Sequence, residues 1–135
     1  MAEGLSRKLP DWRDRLIAFL SENRRREFRI GSWDCVIWTA GAVEAMTGVD
    51  HLRGHRGYRS IAEGQRRLRE KGYADHVAFV AATFPEVEPA FAQPGDIAVI
   101  GDAALGIVQG AQVYCFGQNG FGLAPFTAIN RAFRT

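Results

Sequence analysis

From Cys35 to Val43 the chain runs nine residues without a charged side chain, Cys-Val-Ile-Trp-Thr-Ala-Gly-Ala-Val. Asp34 stands just before this run, where a helix N-cap belongs, and Gly48 just past its end, where a chain leaves a helix through the left-handed conformation. A helix that is apolar all round has to be covered all round. The segment opening at Ser32-Trp33-Asp34 and running through Met46 is therefore expected to be the buried central helix. Its small residues, Ala40, Gly41 and Ala42, should let other backbone approach closely.

The rest of the chain is read around that helix. Asp11 is expected to cap a first helix, with Asp14 in the capping-box position. Trp12, Leu16, Phe19 and Leu20 form its apolar stripe, and it should end near Asn23 and the arginine run. Phe28 to Gly31 reads as extended and Val49 to Arg59 as loop. Ser60 and Glu63 form a second capping box opening a helix that closes at Gly72, and Val77 to Phe84 is a short fourth helix stopped by Pro85. After Pro94 the period changes. Pro94-Gly95 is a turn pair, and Ile97-Ala98-Val99-Ile100 a buried strand. Leu105 to Gln109 and Val113 to Phe116 make a hairpin across Gly110-Ala111-Gln112. Asn119 to Gly122 reads as loop, and Phe126 to Phe133 offers one or two closing strands. The expected class is α+β, one domain over 1–135, with an N-terminal helix and extended lead-in (1–31), a helical part (32–93) and an antiparallel sheet (94–135) packed on the central helix.

Composition narrows the function classes. At 47% hydrophobic and 24% charged, the 135 residues are those of an ordinary folded domain. No apolar run approaches the ~18 residues of a membrane span, and the N-terminus lacks the pattern of a signal peptide. Two cysteines, Cys35 and Cys115, are too few for a disulfide scaffold or a zinc site, and neither a metal nor a cofactor is expected. The net charge of +2 divides into +5 over residues 1–72 and −3 over 73–135. Without aromatic interleaving or a nucleic-acid module the basic half does not indicate nucleic acid. Arg24, Arg25, Arg26, Arg53, Arg56 and Arg59, with Phe121 in its glycine-flanked loop, are instead the candidate protein-contact residues.

Cys35 carries the chemical question. A thiol in the first turn of a helix meets unpaired backbone N–H groups and the positive end of the helix dipole, which favour the thiolate; the alternative is a packed small hydrophobe. Asp34-Cys35 opening a buried helix, Pro94-Gly95-Asp96-Ile97 entering a strand, and Leu105-Gly106-Ile107-Val108-Gln109-Gly110, in that order, resemble the NlpC-type cell-wall peptidases, papain-like cysteine hydrolases that cut peptidoglycan stem peptides. Trp12, Trp33-Asp34-Cys35, Thr47-Gly48-Val49-Asp50, Ala104-Leu105-Gly106-Ile107 and Arg131-Ala132-Phe133-Arg134 are similar to an offshoot of that fold encoded among the tail genes of phages and prophages. The resemblance implies a papain-like fold, a nucleophile position at Cys35, a cleft beside Trp33 and Asp34, and a role in the tail or tail tip.

The sequence departs from the peptidase pattern where the general base belongs. Two residues before Gly106, the expected histidine position is occupied by Ala104, which cannot exchange a proton. The hairpin is expected to set Gln118 opposite Ala104, a polar partner but not a base near neutral pH. His51 lies about 20 Å along the central helix from Cys35, and His55 and His76 fall in or beside loops. The first expectation is thus a non-catalytic tail or tail-tip structural or assembly protein, made in the bacterial cytoplasm and resident in the virion tail. It would act by contact with other tail proteins, with peptidoglycan as a second candidate partner. The alternative is a peptidoglycan amidase or endopeptidase with Cys35 as nucleophile.

Overall fold

The computed structural model describes residues 7–135, which form four helices and one six-stranded antiparallel sheet. The helices are α1 (Trp12–Asn23), α2 (Cys35–Thr47), α3 (Ile61–Glu70) and α4 (His76–Thr83). The strands are β1 (Glu86–Val87), β2 (Ile97–Ile100), β3 (Ala104–Val108), β4 (Gln112–Gly117), β5 (Gly120–Pro125) and β6 (Ile129–Phe133), in spatial order β1-β6-β2-β3-β4-β5. The α+β class follows directly.

Local chemistry sets the helix ends. At α2, Asp34 Oδ1 accepts the Ile37 N–H at 3.0 Å, and Gly48 closes the helix at φ 80° with its N–H on the Glu44 carbonyl. At α3, Ser60 accepts from Glu63 N–H at 3.0 Å. The returning Glu63 carboxylate reaches the Arg59 N–H rather than that of Ser60, one residue outside the usual capping box. Asp75 caps α4 through Ala78 N–H. Asp11 departs from expectation: its carboxylate makes no capping bond and is taken by Arg15 one turn on, at 2.8 Å.

The central helix is buried as its composition requires. Ile37, Trp38, Ala42, Val43 and Met46 of α2 pack with Leu16 of α1, Val77 and Val80 of α4, and Ile97, Val99, Leu105, Ile107, Phe116 and Phe133 of the sheet. At Gly41 the close neighbour is a side chain and not backbone: the Phe19 ring would lie 2.8 Å from an added Cβ. The far face of the sheet carries a smaller cluster of Ala98, Val108, Val113, Ile129 and Ala132.

The sheet departs from expectation in three places. It begins at Glu86 rather than after Pro94, because Glu86 and Val87 pair with Phe133 and Ala132 at one edge. Residues 120–122, read as loop from their glycines, continue into a full strand pairing with β4 from Gly117↔Gly120 to Gln112↔Pro125. The β3–β4 register, fixed at Gly106↔Cys115, falls one residue short of the expected pairing. Gln118 therefore lies in the turn after β4, exposed, and not opposite Ala104.

Candidate functional site

Cys35 opens α2 at the wall of a cavity of about 140 Å³ between the start of α2, the 49–59 loop, α3 and α4. Ile30, Val36, Ile61 and Leu68 supply its apolar wall, and Asp34, His55, Tyr58 and His76 supply polar groups. His55 of the loop and His76, the first residue of α4, thus both border the space that Cys35 borders.

Asp34 ties the loop to the helix. One carboxylate oxygen caps α2; the other accepts the Gly31 N–H at 3.0 Å and the Tyr58 hydroxyl in a short hydrogen bond. Burial, reinforced by the Asp34 carboxylate, raises the Tyr58 hydroxyl far above its ordinary value and keeps it protonated as a donor. Gly31 sits at φ 81°, and an added Cβ would fall 1.9 Å from the Tyr58 carbonyl oxygen, so the two chain segments meet where only glycine fits. The same loop is closed by Arg56, which pairs with Asp50 at 3.0 Å and donates to the Leu52 carbonyl.

The imidazoles differ. His55 is 4% exposed, and its Nδ1 has no hydrogen-bond partner. Burial, with Lys71 and Arg67 nearby, lowers its pKa and holds the ring neutral. A buried neutral histidine must take up a proton on unfolding, so the unfolded chain binds more protons below its ordinary value of about 6.5. Stability is therefore expected to fall as pH drops through that value, and His55→Leu should flatten the fall in melting temperature between neutral and mildly acidic buffer. His76 sits 2.6 Å through Nε2 from the Ala103 carbonyl oxygen. A carbonyl only accepts, so Nε2 is the donor in this contact.

The thiol itself is unarmed. Burial pushes the Cys35 pKa up, a backbone hydrogen bond from Leu105 opposes it, and the Asp34 and Cys115 charges add to the rise. The net direction is upward, opposite to the one a helix N-terminus favours. Cys115 is also a free thiol, and packs with the cluster on the far face of the sheet.

Three expected site residues lie elsewhere. Leu105 and Ile107 face the core under α2, so strand alternation turns Ala104 and Gly106 to the other face. Ala104 is exposed there, and its methyl does not confront the thiol. Trp33, expected beside the cleft, borders a separate groove with Phe19 and Asn23, under the Arg26 guanidinium at 3.8 Å. Gln118 borders a third groove with Arg24, Arg25 and Arg26. Arg53 and Arg59 are exposed, whereas Arg56 is committed to Asp50. The Phe121 ring lies against Trp38 and Tyr114 while remaining 36% exposed. Sequence reasoning passed over Tyr58, whose only local signal is a tyrosine three residues after His55 in a loop otherwise rich in glycine and arginine.

No cluster of His, Cys, Asp and Glu among the described residues is arranged to hold a metal ion, and no described helix is long and apolar enough to cross a membrane. Residues 7–135 match a family model described as Domain of unknown function (DUF6950). No curated protein matches the chain.

Proposed function

We propose that this chain, which belongs to the DUF6950 family, is a structural or assembly component of a phage or prophage tail, with a papain-like fold whose cysteine site no longer turns over. The observation that carries the reading is the state of Cys35: its thiol is desolvated and held protonated, and among the described residues no imidazole or carboxylate hydrogen-bonds the sulfur. Thiol hydrolysis needs a base within hydrogen-bond reach, worth about 10²–10⁴-fold in rate. The order of the Asp34-Cys35, Pro94-Gly95-Asp96 and Leu105 to Gly110 motifs supports the papain-like relationship. Exposed Arg24, Arg25, Arg53 and Arg59 supply a contact surface for other tail proteins.

One observation favours the second reading, a peptidoglycan hydrolase: His55 and His76 border the Cys35 cavity, and the contact of His76 with the Ala103 carbonyl uses Nε2 and leaves Nδ1 unengaged by it. Three measurements separate the two readings. Cys35 is expected to react with iodoacetamide more slowly than free cysteine at mildly alkaline pH, because its raised pKa leaves less thiolate. Peptide mass spectrometry distinguishes it from Cys115. The protein is expected to release no muropeptides from purified peptidoglycan, and cross-linking within assembled particles should recover tail proteins bound through the arginine surface. Muropeptide release that disappears in Cys35→Ala and in His76→Ala would establish the hydrolase instead.

A further inference from the structure

β5 is one outer strand of the sheet, and its outward edge has no partner among the described residues. Strand edges in soluble proteins are usually blunted by charge, proline or a bulge. Here Gly120-Phe121-Gly122-Leu123-Ala124 carries no charge, and proline enters only at 125, the strand's last residue. Phe121 and Leu123 stand 36% and 52% exposed on one face.

The hydrogen-bond alternation fixes which backbone groups are open. Gln109 N–H donates to the Gln112 carbonyl, so residues 112, 114 and 116 of β4 bond toward β3, while 113, 115 and 117 bond toward β5. Their partners are Ala124, Gly122 and Gly120. The N–H and C=O of Phe121 and Leu123 therefore point outward.

We propose that this edge pairs with β5 of a second copy of the chain, antiparallel about a two-fold axis at Gly122. In that register Phe121 of each copy faces Leu123 of the other. Each such pair exchanges two backbone hydrogen bonds, and the two symmetric pairs satisfy every open group of both residues. On the same face the two exposed apolar side chains meet across the strands, an aromatic–aliphatic pair of the kind that stabilises antiparallel sheets. At the axis Gly122 meets its own copy in a non-hydrogen-bonded pair, where Cα atoms approach to about 4.5 Å. Nothing lies within 4 Å of a Cβ added to Gly122, so a side chain placed there has room on the sheet face opposite Phe121 and Leu123. The strand is self-complementary in this single register, and its lack of charge removes the repulsion that a second copy would otherwise bring. A strand pair alone buries less than the ~1,200 Å² of a standard interface, so the dimer is reversible and concentration-dependent.

Sedimentation velocity over a concentration series should show a monomer–dimer equilibrium, and Leu123→Lys should raise the dissociation constant roughly tenfold or more, with an unchanged circular dichroism spectrum. A second measurement is independent of that variant's folding. Cys115→Ala/Gly122→Cys removes the neighbouring thiol and places one cysteine on the axis, within the ~4.4–6.8 Å Cα separation of a disulfide. Mild oxidation should convert it to a covalent dimer, whereas Cys115→Ala/Val49→Cys, carrying an exposed cysteine remote from β5, should stay monomeric. A wild type that is monomeric throughout, a dimer indifferent to Leu123→Lys, or equal cross-linking at 49 and 122 would overturn the proposal.

Discussion

Asp96→Ala is expected to lower the unfolding free energy by about 3–5 kcal/mol, the cost of stripping one partner from a buried ion cluster. The Asp96 side chain is fully buried directly before β2. Its carboxylate accepts from the Gln93 N–H at 2.8 Å and from Arg134 Nε at 3.1 Å to both oxygens, with Lys8 Nζ at 3.8 Å. These contacts bring both ends of the described chain to one carboxylate. Around it, Arg7 N–H donates to the Thr135 carbonyl at 2.7 Å and Thr135 Oγ1 to the Gly95 carbonyl at 2.7 Å. Burial already lowers the Lys8 pKa, and the Asp96 charge works against that lowering. Without the carboxylate, two cations remain close together in a desolvated pocket. Asp96→Asn, which keeps an acceptor and removes the charge, should fall between wild type and alanine. Urea denaturation measures both. A loss below about 1 kcal/mol for alanine would mean that the cluster contributes little beyond its shape.

That cluster shows how far sequence reasoning reaches. Pro94-Gly95-Asp96 is legible as a turn because its signal is local, proline fixing φ and glycine taking φ 90°. The helix caps at Asp34 and Ser60 are legible for the same reason, and the uncharged face of α2 announces its burial. That Asp96 anchors Arg134, 38 residues away, is not written in any local pattern.

The candidate site divides along the same line. Cys35 at the start of α2 is readable from the cap and the apolar run. The cavity wall is not, because the Tyr58–Asp34 bond spans 24 residues through a loop with no periodicity to follow. His55 and His76 arrive at the cavity that Cys35 borders by tertiary packing of that loop and of α4. The Gln118 assignment shows the sensitivity of sheets to register. A one-residue difference in the hairpin moves a residue from the strand into the turn, and the pleat sends Ala104 to the face away from the thiol.

Asp34→Ala tests the joint between fold and site, with an expected loss of about 3 kcal/mol or more. Three donors lose their acceptor together: the Ile37 N–H at the start of α2, the Gly31 N–H and the Tyr58 hydroxyl. Loss of the cap alone costs about 1 kcal/mol, and each buried donor left unsatisfied about 1–3 kcal/mol. Tyr58→Phe removes one donor and leaves the acceptor two others, so its cost should stay near 1 kcal/mol. The contrast between the two substitutions separates the cap from the loop tether. Freed of Asp34, the 49–59 loop is held by Gly57 N–H on the Gly31 carbonyl and by Arg67 of α3, which donates to the Arg56 carbonyl at 3.0 Å. Water then gains entry to the cavity. Cys35 loses both the desolvation that raises its pKa and the adjacent negative charge, and both changes favour thiolate. Iodoacetamide should accordingly modify Cys35 faster in Asp34→Ala than in wild type under conditions where both are folded, while Tyr58→Phe stays closer to wild type. Equal alkylation rates in all three proteins would show that the thiol is already solvated, and the account of an unarmed Cys35 would fail with it.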